Sequence, residues 1–180
     1  MFKNKKSRLS QSPRQQALKN STDDFDLYRA LLEYSLRLLS KKSYTVYELT
    51  KKLVQRCKKV GCEDGFASDI EKVLARLTEL NYIDDAKILE NFINYSVPDS
   101  PVGKFKYLHK MRQRGIPYKQ AESAWNKADL DEGALARKVA ATRLKRYEEE
   151  PVLVKRKKIM NFLAARGFSP NLIYEVLSEI

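Results

Sequence analysis

Apolar residues return at intervals of three and four along most of this chain. Leu27, Ala30, Leu31, Tyr34, Leu38 and Leu39 share one helical face, Leu49 and Leu53 a second, and Ile70, Val73, Leu74 and Leu77 a third. The rhythm resumes with Ile88, Leu89 and Phe92, then with Phe105, Leu108 and Met111, and then around Trp125. Ala136, Val139, Ala140, Leu144 and Tyr147 form another stripe, followed by Ile159 with Leu163 and by Ile173, Val176 and Leu177. Half-buried strands would alternate instead, so this pattern predicts helices throughout.

The polar residues between stripes read as helix ends. Thr45 and Glu48 have the spacing of a capping box, in which the hydroxyl accepts from the Glu48 amide and the carboxylate reaches back. Asp84 and Asp85 are placed as acids at a helix N-terminus. Pro98-Asp-Ser-Pro101 is expected to break one helix and start the next, and Glu148-Glu-Glu-Pro151 to stop another. Near the end, Arg166-Gly167 gives a cationic last turn and a left-handed C′ residue, while Ser169 and Pro170 suit the N-cap and first turn of a new helix.

That last phrase is repeated. Placing Gly115 on Gly167 puts Met111 on Leu163, Arg114 on Arg166, Ile116 on Phe168, Ala121 on Ile173, Ala124 on Val176 and Trp125 on Leu177 without a gap. Trp125 thereby reads as core. A weaker copy has Leu49 and Leu53 before Arg56-Cys57, with an insertion from Lys58 to Asp64 before Ile70. Arg56, Arg114 and Arg166 mark a period near fifty residues, the mark of a tandem array. The expected fold is therefore all-α: three three-helix modules in an elongated or curved array, the third ending close to Ile180 and open to truncation. Residues 1–24 are expected to be a disordered basic arm, with modules over 25–81, 82–130 and 131–180.

Charge narrows the function. Lys and Arg number 35 against 23 Asp and Glu, a net charge of +12, and residues 1–20 carry bases but no acid. A basic chain of this kind favours polyanionic partners. The candidate contacts are Lys104, Lys110, Arg112, Arg114, Arg137, Lys138, Lys145, Arg146, the run Lys155-Arg156-Lys157-Lys158, and Arg166. Their plain structural alternative is a solvated face, or helix-end cations in the case of Arg56, Arg114 and Arg166.

Catalytic chemistry finds little support. The chain has one histidine, two cysteines and six glycines that never cluster, so neither a zinc site nor a phosphate loop is indicated, and no cofactor is expected. Two thiols without a secretory leader favour a reducing, cytoplasmic setting, and no apolar run is long enough for a membrane span.

Several of these residues resemble the signatures of the RecX family of bacterial recombination regulators: Phe162-Leu-Ala-Ala-Arg-Gly-Phe-Ser-Pro170, Asn81-Tyr-Ile-Asp-Asp85, and Thr45 through Glu48-Leu49 to Lys52-Leu53. The order and spacing of the three together carry the resemblance over roughly Leu27 to Leu177. Departures occur at Ile88-Leu89, where the family has an aromatic residue and Ala, and at Gly103-Lys104 and Lys110-Met111, where it has Gly-Pro and Glu-Leu.

The resemblance implies a non-enzymatic regulator that binds the RecA recombinase filament near single- or double-stranded DNA, and a monomer is the default expectation. It would oppose filament assembly, ATPase and strand exchange in repair and recombination. Two rivals remain at this level: a helix-turn-helix-like DNA-binding protein acting without RecA, built on Arg114-Gly-Ile-Pro117 or Arg166-Gly-Phe-Ser169, and a basic adaptor without nucleic acid.

Overall fold

The computed structural model describes residues 27–61 and 65–180, and among these every regular element is helical. The expected arm over 1–24 and Cys62 lie outside the described residues. The rest forms two compact units, 27–42 with 49–82 and 43–48 with 83–180.

In the first unit, helix α1 runs through residues 27–39 and buries Leu31 and Ser35. The Ser35 hydroxyl donates to the Leu31 carbonyl at 2.7 Å, so the buried oxygen is satisfied within its own helix. α2, Val46–Val60, buries Leu49, Leu53 and Cys57 at a spacing of four, and Cys57 is a fully buried thiol. α3, Phe66–Glu79, buries Ile70, Val73 and Leu77.

The expected register mark at Arg56 is not a helix end. α2 continues to Val60, and the left-handed residue is Gly61, with φ 71°. Aligning Gly61, Gly115 and Gly167 instead stacks Leu53, Tyr107 and Ile159 in one position and Cys57, Met111 and Leu163 in another, all fully buried. Lys58-Lys59-Val60 belong to the helix, and the inserted residues follow Gly61.

The second unit contains α4, Asp85–Asn91, which widens into a π turn over Phe92–Ser96 and ends in the short α5, Val97–Asp99. The break expected over Pro98–Pro101 comes in the second half of that stretch, since the chain carries on through Pro98 as helix as far as Asp99. A proline has no N–H for the helical ladder, and the π turn just before it accommodates the lost bond. The real break falls between Asp99 and Lys104. α6 spans Lys104–Gln113, α7 Tyr118–Lys127, and α8 Glu132–Leu144 with a 3-10 turn at Lys145–Tyr147. α9, Val152–Ala165, and α10, Pro170–Ser178, complete the unit.

Two apolar clusters fill it. One joins Ile88, Leu89, Ile93, Val97, Tyr107, Met111 and Trp125; the other joins Ala136, Val139, Ala140, Ile159, Leu163, Ile173 and Leu177. Leu135 packs against both. Trp125 is core as expected, whereas Phe105 is exposed and Tyr107 takes the buried place. The Tyr107 ring lies 4.8 Å from Trp125 and 5.6 Å from Phe92, and its hydroxyl has no hydrogen-bond partner among the described residues. Burial pushes that hydroxyl up to about 12.

Gly115 and Gly167 occupy equivalent turns, with φ 79° and 81°. Gly115 N–H donates to Arg112 O and Ile116 N–H to Met111 O, and the same pair recurs as Gly167 to Ala164 and Phe168 to Leu163. These are Schellman closures, which use helix-end carbonyls that would otherwise lack partners.

Both turns also serve as joints. Gly103 N–H donates to Arg166 O at 2.9 Å and Phe105 N–H to Gly167 O at 3.2 Å, so the start of α6 meets the end of α9 backbone to backbone. The Arg166 guanidinium reaches Ser100 Oγ and Pro101 O, both at 3.0 Å. At the other turn, Thr45 Oγ1 donates to Arg114 O at 2.7 Å, the Tyr47 ring covers Gly115, and Arg114 grips Glu48 and the Ser43 carbonyl.

A Cβ on Gly103 would lie 2.3 Å from Gly167 O, with backbone atoms on both sides of the clash. Gly103→Ala is therefore expected to lower stability by about 1–3 kcal/mol, read from urea denaturation midpoints; an unchanged midpoint would show that the joint yields freely. Tyr107→Phe keeps the aromatic stack and removes a buried hydroxyl without a partner, so stability should hold or rise by about 1 kcal/mol. A loss of that size would mean the hydroxyl is satisfied.

Candidate functional site

Side-chain polarity on α8 sets the geometry of a concave basic surface. Asp131 caps the helix, its Oδ1 accepting from Ala134 N–H at 2.8 Å. Ala136, Val139 and Ala140 turn inward, and the spacing of four from Lys138 through Thr142 to Arg146 then places those residues along one flank, with Arg143 beside them. α9 brings Phe162 and Arg166 opposite, and the joint holds Arg166 against Ser100 and Pro101.

The result is a recess of about 290 Å³ whose walls include Lys138, Arg143, Arg146, Phe162, Arg166 and Asp99. The Arg143 guanidinium sits 4.0 Å from the Phe162 ring centre and that of Arg166 5.2 Å. Lys138 Nζ donates to Pro98 O at 3.2 Å. Asp99 is the one carboxylate in the lining, and among the described residues it forms no ion pair with these cations. Nearby, burial first, and then repulsion from Arg166 and Lys110, holds the Lys106 ammonium below its usual range.

The structure therefore gathers Lys138, Arg146 and Arg166 from the expected contacts and adds Arg143 and Phe162, which are not among them. The helical spacing of α8 is the signal that could have found Arg143, whereas Phe162 is visible in the sequence only as part of a motif.

Most other expected contacts have internal partners. Lys104 Nζ meets Glu122 Oε1 at 3.1 Å and Asn126 Oδ1 at 3.1 Å, while its N–H donates to Glu132. Arg114 makes a two-pronged pair with Glu48 at 3.1 and 3.0 Å. Arg137 is clamped by Glu175 and Glu179, with its bond to Glu179 raising its pKa first of all. Lys158 pairs with Glu150 and lies over Tyr147, Lys155 donates to Glu148 O, and Lys110 sits over Phe92. Arg112, Lys145, Arg156 and Lys157 are exposed and, among the described residues, have no protein partner.

The expected structural residues are in place. Thr45 and Glu48 form the capping box in both directions, at 3.1 and 3.0 Å. Asp84 caps α4 through Lys87 N–H, and Ser169 caps α10 through Leu172 N–H. Asp85 also reaches the start of α2, where its Oδ1 accepts from Val46 N–H at 3.0 Å. Among the described residues, no group of three or more His, Cys, Asp or Glu is arranged to hold a metal, and no helix is long and apolar enough to cross a membrane.

Comparison with known proteins agrees with this architecture. Residues 131–177 match a family model described as the third three-helix domain of RecX. The chain is similar to the regulatory protein RecX of Chlorobaculum tepidum, 33% identical over 150 residues that cover 83% of this chain and 87% of the relative. It is likewise 33% identical over 161 residues to that of Escherichia coli O9:H4, covering 87% and 95%. In fold it is similar to a crystal structure of regulatory protein RecX, with a TM-score of 0.72 at 20% identity over 95% of this chain and 81% of that one. A RecX structure from Lactobacillus salivarius gives 0.69 at 22% identity over 86% and 96%.

Asp85 makes the joint at residues 43–48 sensitive to pH. Burial, the leading effect, raises its carboxyl above the ordinary 3.8, against the lowering by Val46 N–H and Arg114. A carboxyl raised on folding contributes stability that is complete below the unfolded value and lost as pH climbs through the folded one. Asp85→Asn retains an acceptor for Val46 N–H without the buried charge. It should match or exceed the parent in urea midpoint at pH 7, with the difference shrinking below pH 4; a variant weaker at pH 7 would reverse this reading.

Proposed function

The chain belongs to the RecX family of regulatory proteins, and from that premise we propose that it binds the RecA recombinase filament and restrains its assembly, ATPase and strand exchange. It does so as a cytoplasmic monomer and without catalysing a reaction. The observation that carries this reading is identity of 33% with regulatory RecX proteins over more than four fifths of the chain. The electrostatics support it. Among the described residues, Lys138, Arg143, Arg146, Arg112, Lys145, Arg156 and Lys157 are among the cations that form no ion pair, and these form the proposed contact set toward an anionic assembly.

The chain reads as three modules, 25–81, 82–130 and 131–180, a division that suits a binder spanning repeated subunits of a filament. Arg114 and Arg137 then act mainly as structural residues. Arg166 serves both the joint and the basic recess.

A sequence-reading helix-turn-helix protein is the rival. Its reading helix would need outward groups that approach bases, whereas α10 presents Tyr174 and Glu175, and Glu175 and the Glu179 just past its end are both engaged by Arg137.

Substoichiometric protein should suppress DNA-stimulated ATP hydrolysis by the cognate RecA, with the loss deepening as the ratio rises. No suppression at any ratio would dismiss the filament reading, and a sharp consensus from random-sequence DNA selection would favour the rival.

A further inference from the structure

We infer that the recess formed by α8, α9 and residues 99–101 seats one nucleotide of a single nucleic-acid strand, its phosphodiester held by Arg143, Arg146, Arg166 and Lys138 and its nucleoside laid over the Arg143 guanidinium that covers Phe162. This deepens the proposed function and takes its choice of nucleic acid from that reading.

The first argument is the distribution of counter-charges. Elsewhere in this unit four cations are matched by carboxylates, Lys104 by Glu122, Arg114 by Glu48, Arg137 by Glu175 and Glu179, and Lys158 by Glu150, whereas Arg166 and Lys138 hydrogen-bond only to a hydroxyl and backbone carbonyls among the described residues. Four cations line the recess against Asp99 alone. Like charges held in a concave surface repel and focus a positive potential, and an entering anion relieves both.

The second argument is shape and chemistry. Three guanidinium groups offer planar forks suited to the two free oxygens of a phosphodiester, and a single side-chain carboxylate would leave much of that donor set unused. The Arg143 guanidinium already lies over the Phe162 ring, 4.0 Å from its centre, and an arginine on an aromatic ring is the kind of surface on which unpaired bases rest. A recess of about 290 Å³ has room for one nucleotide and is too small for a duplex groove to enter.

The test is binding of the purified full-length protein to a fluorescent oligothymidylate over a salt series. Arg143→Gln/Arg146→Gln should weaken binding roughly tenfold or more and flatten the slope of log affinity against log salt by ~1.4, about 0.7 per cation removed. Lys119→Gln/Lys127→Gln removes the same charge from α7 and should change affinity far less. Arg146→Gln alone changes an exposed side chain that has no protein partner among the described residues, so weaker binding with an unchanged urea midpoint is a loss of contact and not of fold.

Equal losses in the cleft and control variants would overturn the inference, as would none in either. So would an oligoglutamate peptide that displaces the strand from the parent protein at matched charge concentration, which would identify an acidic protein segment as the occupant. Suppression of RecA ATPase, measured on the same proteins, separates the two levels. Suppression by the parent with strand binding indifferent to the cleft sinks this inference alone; strand binding through the cleft without suppression sinks the filament reading alone.

Discussion

The contact on which the second unit depends is a meeting of two helix ends. α6 begins with N–H groups that have no partner inside their own helix, and α9 ends with carbonyls in the same position. Gly103 and Phe105 donate to Arg166 and Gly167, so both sets are satisfied and the positive end of one helix dipole faces the negative end of the other. Bonds this direct require the backbones to approach more closely than any Cβ allows. That is why glycine occupies both sides of the contact, and why Gly167 can also take the left-handed turn that ends α9.

The same constraint is solved differently at residues 43–48. There the helix end at Arg114 meets a threonine hydroxyl in place of a backbone amide, and an aromatic ring, Tyr47, takes the space above Gly115. Thr45 Oγ1 both accepts from Glu48 N–H and donates to Arg114 O, so one hydroxyl closes the capping box and the joint together. In each case an arginine at the end of the helix reaches forward over the glycine to fasten the partner segment. The repeat in the sequence is thus a repeat of joints as much as of cores.

Much of this could be read from the residues. Apolar spacing located the helices, the capping box at Thr45 and the N-cap at Ser169 formed as written, and Gly115 and Gly167 occupy matching turns. Other features escaped for identifiable reasons. Arg56 attracted the register because an arginine precedes the other two glycines, but Gly61 ends α2 and needs no arginine before it. In α6, Phe105 and Tyr107 both fit the apolar rhythm, and in the fold the Phe105 amide docks on Gly167 while the tyrosine turns inward. Pro98 passes through its helix because a π turn precedes it, and nothing in local composition announces that turn.

The basic residues show the limit most clearly. In the sequence they are alike, and their differences arise from contacts made across dozens of residues: Arg137 with Glu179, Arg114 with Glu48, Lys104 with Glu122. Pairing of this kind converts a cation into part of the scaffold and removes most of its field at a distance. The net charge of +12 therefore says less about recognition than the small subset left uncompensated in a concave place. That subset exists because the joint fixes Arg166 beside Ser100 and Pro101, opposite the flank of α8 that carries Lys138 and Arg146. A glycine contact between two helix ends thereby helps to place Arg166 in the basic recess, and a substitution there would disturb the recess without touching a side chain that lines it.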